Sequence, residues 1–363
     1  MNTTTSFSEF AAQLCGLSHA DFDRSALELF QLQFEGNGAY RLICESRGIT
    51  PGAPMHWSEI PAVPTHAFKE FDLSCLLPER RTTVFHSSGT TTQKPSRHYH
   101  NSESLALYEE ALTASFRENV VRSGRMCLLS LTPSPAEAPH SSLVHMFETV
   151  RREVGEPDSI FAGHVTRAGE WMLDFAAAET FLDQASKTTQ PVCILGTAFS
   201  FVHLLDYLQH RLEQLKLPAG SVVMETGGYK GKSRVIPRSE LHHWICDRLG
   251  ISSQQIVCEY GMSELSSQAY ARASAQGRQT TDQTAPVFHF PAWARCQVIS
   301  VETGREVKEG EAGLLRVFDL ANVYSVMAIQ TEDLGVRRGD GFELLGRSTP
   351  AEPRGCSLMS ASR

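Results

Sequence analysis

The chain has 363 residues, 41% of them hydrophobic, which suffices for a large core built as one big domain or two. A charged fraction of 20% and an aromatic fraction of 9% are those of a folded protein and exclude a disordered chain. The formal net charge is −8 and the basic residues are scattered, so nucleic acid and anionic lipid are not expected as partners.

The opening residues, MNTTTSFSEF, lack the cationic start and apolar run of a secretory signal. The most apolar window, 192–205, is too short and too interrupted by polar residues to span a bilayer, so no transmembrane segment is expected. Nine cysteines without a CxxC pair or zinc spacing read as reduced thiols of a cytoplasmic protein, most of them buried as small hydrophobes.

Residues 1–60 carry apolar positions at helical spacing and predict a helical N-terminal segment packed on a main body. After the proline-marked PGAPMHWSEIPAVPTHAF, the texture changes to short apolar runs. TTVFH, MCLLSL, PVCILG, SVVMETGG and QIVCEYG read as buried strands, separated by glycine turns and helical stretches such as 102–121 and 199–215. Such alternation implies βα units around a largely parallel sheet. From Ala294 the segments RCQVISVETGREVKEGEAGLLRVFDL and GVRRGDGFELLGR alternate as antiparallel hairpins do. One α/β body over 61–347 with a β-rich end is expected, followed by a short tail, 348–363.

Four clusters carry chemistry, each with an ordinary structural alternative. In HSSGTTTQKPSRH, Ser87, Ser88, Gly89, Thr90, Thr91 and Thr92 precede Lys94 and Arg97. Amides, hydroxyls and cations suit a polyphosphate, although GxxxxGK[ST] is not met and a solvated connection has similar letters. In METGGYKGKSR, Gly227 and Gly228 let a backbone approach a flat ligand, with Lys232 nearby; a plain glycine turn fits too. In CEYGMSELSSQAY, the strand breaks at Gly261 and a polar helix is expected to follow. There Tyr260 can stack on a base, Ser263 can bond phosphate and Glu264 can hold Mg²⁺; alternatively Ser263 and Glu264 cap that helix. In QTEDLGVRRGDGFELLGR, Asp333 can accept both ribose hydroxyls with Arg347 at the hairpin end, or both sit in surface turns.

The order and separation of these four motifs resemble the adenylate-forming superfamily of acyl-CoA synthetases, luciferases and peptide-synthetase adenylation domains. Within it, SSGTTTQKPSRH, GGYKGKSR and EYGMSELSSQAY are similar to the LuxE-like acyl-protein synthetases, over roughly Pro61 to Cys356. That resemblance implies the superfamily's large α/β domain with mixed and parallel sheets, without its mobile C-terminal domain. It implies ATP and Mg²⁺ as cofactors, with Ser87–Thr92 on the β- and γ-phosphates, Gly227, Gly228 and Tyr260 about the adenine, and Gly261, Ser263 and Glu264 serving phosphate and metal. Asp333 is then expected at the ribose beside Arg347, with His145 and Phe199 beside the acyl group; for His145 a bonded core histidine is the alternative. Two departures stand out: Thr92 replaces a glycine, and Arg97 follows Pro95 where a lysine is usual. The implied reaction is acyl-AMP formation from a carboxylic acid, Lys94, Arg97 or Lys232 screening the anionic reactants, then transfer to Cys356 in AEPRGCSL. An acyl-accepting reductase, CoA or a carrier protein is the implied partner, and a non-catalytic nucleotide-binding remnant is the rival.

Overall fold

The computed structural model describes residues 6–87, 94–210, 214–227, 236–272 and 285–347. In the N-terminal segment, three α-helices lie within residues 7–46. α1 (Phe7–Gln13) starts from a capping box in which Ser6 and Glu9 satisfy each other's backbone N–H. α2 (Phe22–Gly36) and α3 (Gly38–Ser46) follow, and they bury Phe22, Leu29, Phe30 and Tyr40 in a core shared with the C-terminal sheet. Gln33 locks that contact: its amide donates to the Asn322 carbonyl at 2.7 Å and accepts from the Met327 N–H at 3.0 Å.

β1 (Val63–Pro64) and α4 (Ala67–Glu70) lead to β2 (Thr83–His86) and β3 (Arg97–His100). These last two correct the expectation for TTVFH. They form a separate antiparallel ribbon, and only Phe85 of β2 is buried, so the Ser/Thr-rich loop joins a hairpin rather than a strand to a helix.

The parallel sheet is assembled from the other apolar runs. α5 (Ser102–Asn119), β4 (Cys127–Ser130), α6 (Ser142–Val154) and β5 (Ile160–Phe161) come first, then a small ribbon of β6 (Gly163–Val165) and β7 (Trp171–Leu173). α7 (Phe175–Ser186), β8 (Val192–Thr197), α8 (Ala198–Tyr207), β9 (Val222–Thr226), α9 (Arg238–Leu249), β10 (Ile256–Tyr260) and β11 (Ala269–Arg272) complete it. The order is β5-β4-β8-β9-β10-β11, with every pairing parallel except β10 with β11. Alternate residues of each strand face opposite cores, which is why these runs are apolar throughout. Leu129, Ile194, Val223 and Ile256 pack under α7, α8 and α9, whereas Leu128, Leu195, Met224 and Val257 pack under α5 and α6.

β12 (Val287–Phe288), β13 (Ala294–Ile299), β14 (Ala312–Asp319), β15 (Ala328–Arg338) and β16 (Gly341–Arg347) form an antiparallel sheet in the order β12-β16-β15-β14-β13, with β1 added parallel to β15. The hairpin pattern read from this region is therefore present. The two sheets meet where Tyr270 and His289 exchange backbone hydrogen bonds at 3.0 Å.

Three expectations are corrected here. No helix follows Gly261; residues 261–268 are irregular backbone running into β11. The helix expected over 199–215 ends at Tyr207 and tightens into a 3₁₀ turn, Leu208–His210. Of the eight described cysteines, all free, Cys44, Cys193 and Cys258 are buried and the other five only half-buried. Among the described residues no helix is long and apolar enough to cross a membrane.

Candidate active site

β10 ends at Tyr260, and the backbone turns at Gly261, where an added Cβ would lie 2.5 Å from the Glu259 carboxylate. A side chain there would have to displace that buried acid, so glycine is required by close approach. The irregular stretch beyond is held by long-range hydrogen bonds that substitute for helical ones. Asp319, at the end of β14, accepts from the backbone N–H of Ser266 and of Ser267 at 2.8 Å each, and from Ser267 Oγ at 2.6 Å. Asn322 donates to the Glu264 carbonyl at 2.8 Å. Asp319 is completely buried, and burial raises its pKa against the pull of those donors.

The hairpin reaches the same stretch. Ser87 and Ser96 close the base of its loop, through Ser87 N–H to the Ser96 carbonyl at 3.3 Å and Ser96 N–H to Ser87 Oγ at 3.0 Å. Ser96 Oγ then donates to Glu264 Oε1 at 2.5 Å, His98 Nδ1 meets the Ser263 carbonyl at 3.0 Å, and Ser263 Oγ donates to the His86 carbonyl at 3.1 Å. Two of the sequence motifs, far apart in the chain, thus share one hydrogen-bonded seam. Glu264 is 6% exposed and burial pushes its pKa up, with Ser96 opposing.

The fourth motif joins from the second sheet. Asp333 and Arg347 face each other across β15 and β16, with Arg347 Nε 3.5 Å from Asp333 Oδ1. Tyr260 donates its hydroxyl to Asp333 Oδ2 at 2.9 Å. Burial raises the Asp333 pKa, while Tyr260 and Arg347 hold it down. Glu264 feels the Asp333 and Arg347 charges, so the two carboxylates belong to one field. The hard carboxylate oxygens of Glu264 fit Mg²⁺. The Tyr260 ring is buried, edge-on to Phe342 at 5.3 Å and to Phe288 and Phe290 at 6.3 Å each.

Arg97 is engaged on the ribbon: Nη2 lies 3.3 Å from Asp72 Oδ1, and the guanidinium sits over Tyr99 at 5.9 Å. Lys94 is exposed at the loop base. Gly227 follows β9 with a positive φ of 69°, which favours glycine. His145 is held by Glu109 at 2.9 Å and packs on Phe85 and Tyr108, whereas Phe199 is half-buried at the start of α8, edge-on to His203 at 4.4 Å. Ser88, Gly89, Thr90, Thr91, Thr92, Gly228, Lys232 and Cys356 lie outside the described residues.

Ser96 and His98 stand in the Ser/Thr-rich motif without a role legible there, and Asp319 and Asn322 stand in no motif, because each acts through a partner distant in the chain. For Asp319 the isolated acid at the end of an apolar strand, VFD, is the one signal the sequence offers. His98 and His100 are buried with rings 4.3 Å apart; burial drives His98 down to about 4 and His100 well below the ordinary histidine value. A hollow of about 310 Å³ lined by Val84, Tyr99, Arg81 and His140 opens on the ribbon face opposite His98, so it does not adjoin Glu264.

These features define a chain with the fold of the adenylate-forming ligases. A solved 2-hydroxyisobutyryl-CoA ligase, in its open conformation with 2-HIB-AMP and CoA, superimposes with a TM-score of 0.64 at 13% identity, covering 91% of this chain and 71% of that one. A keto acid-selecting peptide-synthetase adenylation domain gives 0.50 at 14%, covering 75% and 52%. The chain belongs to the LuxE family of acyl-protein synthetases, whose family model matches residues 19–362. Among its relatives are the long-chain-fatty-acid–luciferin-component ligases of Vibrio harveyi, 22% identical over 344 residues (91% of this chain, 84% of the relative), and of Aliivibrio fischeri, 22% identical over 357 residues (94% and 88%).

Proposed function

We propose that the protein activates a long-chain fatty acid with ATP, releasing pyrophosphate, and passes the acyl group through Cys356 to an acceptor protein. The observation that carries this reading is the joining of Ser96 to Glu264 and of Tyr260 to Asp333 and Arg347, in a chain of the acyl-protein synthetase family. The relatives' names supply the fatty acid.

In this reading the Ser87–Thr92 loop holds the β- and γ-phosphates, and Lys94 is the loop cation that meets them, since Arg97 is engaged by Asp72. Asp333 accepts from the ribose hydroxyls, with Tyr260 fixing the carboxylate and Arg347 beside it. Gly227, Gly228 and Gly261 let backbone approach the nucleotide, Lys232 adds charge, and Phe199 lines the acyl path. We assign His145, paired with Glu109, to the wall behind that path. Glu264 is the residue that would hold Mg²⁺, which would supply neutralisation of phosphate oxygens.

The carboxylate oxygen attacks the α-phosphorus, forming the acyl–phosphate bond as pyrophosphate leaves. The Cys356 thiol loses its proton, its sulfur attacks the acyl carbon, and AMP departs as the thioester forms. The reading is tested by incubating the full chain with ATP, Mg²⁺ and labelled long-chain fatty acid. A hydroxylamine-labile acyl-protein is expected, lost in Cys356→Ala while pyrophosphate release persists. If Cys356→Ala still becomes acylated, the thiol assignment is wrong; if label instead appears on added CoA without an acyl-protein, the protein is a CoA ligase.

A further inference from the structure

Beneath the edge of the site lies a cluster that the proposed reaction does not use. Glu225 on β9 and Cys258 on β10 are register partners of adjacent parallel strands, so their side chains leave the sheet side by side on the α9 face. His242 descends from α9 onto them. All three residues are buried, at 2%, 1% and 8% exposure, and their ligand atoms lie within 4.8 Å of one another. The opposite face of the same strand positions carries Thr226 and Glu259, which hydrogen-bond each other and leave the trio undisturbed.

The separations about His242 Nε2 are those of an ion site. His242 Nε2 lies 3.4 Å from Glu225 Oε2 and 3.7 Å from Cys258 Sγ, so both neighbours converge on one nitrogen. A single N–H cannot be aimed at both, and 3.4 Å exceeds the ordinary N–H···O range. A proton relay would instead place its two partners on different ring nitrogens. Bonds of tetrahedral zinc to imidazole, carboxylate and thiolate give ligand–ligand edges of about 3.4 Å for N···O and about 3.6 Å for N···S. The two separations about Nε2 match those edges, and the Glu225 and Cys258 ligand atoms lie within 4.8 Å of each other.

We propose that Glu225, His242 and Cys258 form a binding site for one divalent transition-metal ion of the zinc type, with water in the fourth position. The mixed N, O and S donor set is that of Zn²⁺ rather than of Mg²⁺ or Ca²⁺. Binding releases the Cys258 thiol proton and leaves the His242 proton on Nδ1, freeing the Nε2 lone pair. Arg238, whose Nε lies 3.7 Å from Glu225 Oε2, orients the carboxylate from outside. The ion fastens α9 to the carboxyl ends of β9 and β10, two residues before Gly227 and Tyr260, and so sets the floor beneath the nucleotide residues without touching the substrate.

The test is metal binding by the full chain, which stands apart from any activity. Protein purified without chelators is expected to carry about one equivalent of zinc; after stripping and loading with Co²⁺ it is expected to show thiolate-to-cobalt charge-transfer absorption and intense tetrahedral ligand-field bands. Cys258→Ser should abolish the charge-transfer band and Cys246→Ser, a thiol elsewhere on α9, should keep it. His242→Gln and Glu225→Gln should weaken zinc at least about tenfold in competition with a chromophoric chelator. Wild-type protein that takes up no stoichiometric zinc and gives no cobalt charge-transfer band overturns the proposal, whether or not the variants fold. So does a band that persists in Cys258→Ser.

Discussion

Ser96 and Glu264, 168 residues apart in the chain, are joined by a 2.5 Å hydrogen bond from Ser96 Oγ to Glu264 Oε1. That bond fastens the base of the hairpin loop to the acid proposed to hold Mg²⁺. It also opposes the burial that drives the Glu264 pKa upward. Ser96→Ala is therefore expected to leave the fold intact and to lower adenylation roughly tenfold, in line with about 1.5 kcal/mol for a hydrogen bond to a charged group. Glu264 then titrates higher, so the acidic limb of the rate profile moves to higher pH. An unchanged profile in pH–rate measurements would show that Ser96 is merely structural.

Asp333 and Tyr260 make a graded pair. Asp333→Asn should raise the KM for ATP by about 10- to 100-fold, the worth of one charged hydrogen bond, since the amide keeps one acceptor oxygen. Tyr260→Phe removes only the hydroxyl that fixes Asp333, and its effect should be smaller. Steady-state kinetics with ATP varied checks both the ranking and the direction.

Asp319 satisfies four donors, those of Ser266, two from Ser267, and the Ala321 N–H at 3.0 Å. Asp319→Ala strands these donors in a buried place and should cost about 3–5 kcal/mol; Asp319→Asn, which keeps the shape, should cost less. Urea midpoints of the two variants measure the difference.

The buried histidines set a pH dependence. The His98 pKa falls from 6.5 to about 4 on folding through burial, so between those values the unfolded chain binds more protons. Its contribution is present above pH 6.5 and is lost as pH falls towards 4, by about 2 kcal/mol at pH 5. Glu259, raised to about 7 by burial, slopes the other way over its own window, so the total curve is not diagnostic. The His98→Gln comparison isolates the term: the stability gap between wild type and variant should shrink by about 2 kcal/mol from pH 7.5 to pH 5.

How much of this was legible varied with the distance over which each element is determined. β8, β9 and β10 are buried on both faces, so their apolar runs announce them locally, and the β15–β16 hairpin has its own turn. The stretch after Gly261 carries serines and a glutamate that suit a helix start, yet Asp319 and Asn322 bind its backbone from the other sheet, and that tertiary contact prevails. TTVFH pairs with RHYH rather than with the parallel sheet, and the letters of a four-residue strand do not name its partner. Glu264 and Asp333 were readable as candidates from motif order. Ser96, whose part depends on a partner 168 residues away, was not.

Carboxylate-dependent ATP–pyrophosphate exchange tests most directly whether this fold forms an acyl adenylate. Purified protein with ATP, Mg²⁺ and labelled pyrophosphate should return label to ATP when a long-chain fatty acid is supplied, and much less with short or aryl acids. Exchange should persist in Cys356→Ala and collapse in Glu264→Gln by about 100-fold or more. Protein that binds ATP yet exchanges no label with any carboxylate would contradict the account and leave a nucleotide-binding protein without ligase chemistry.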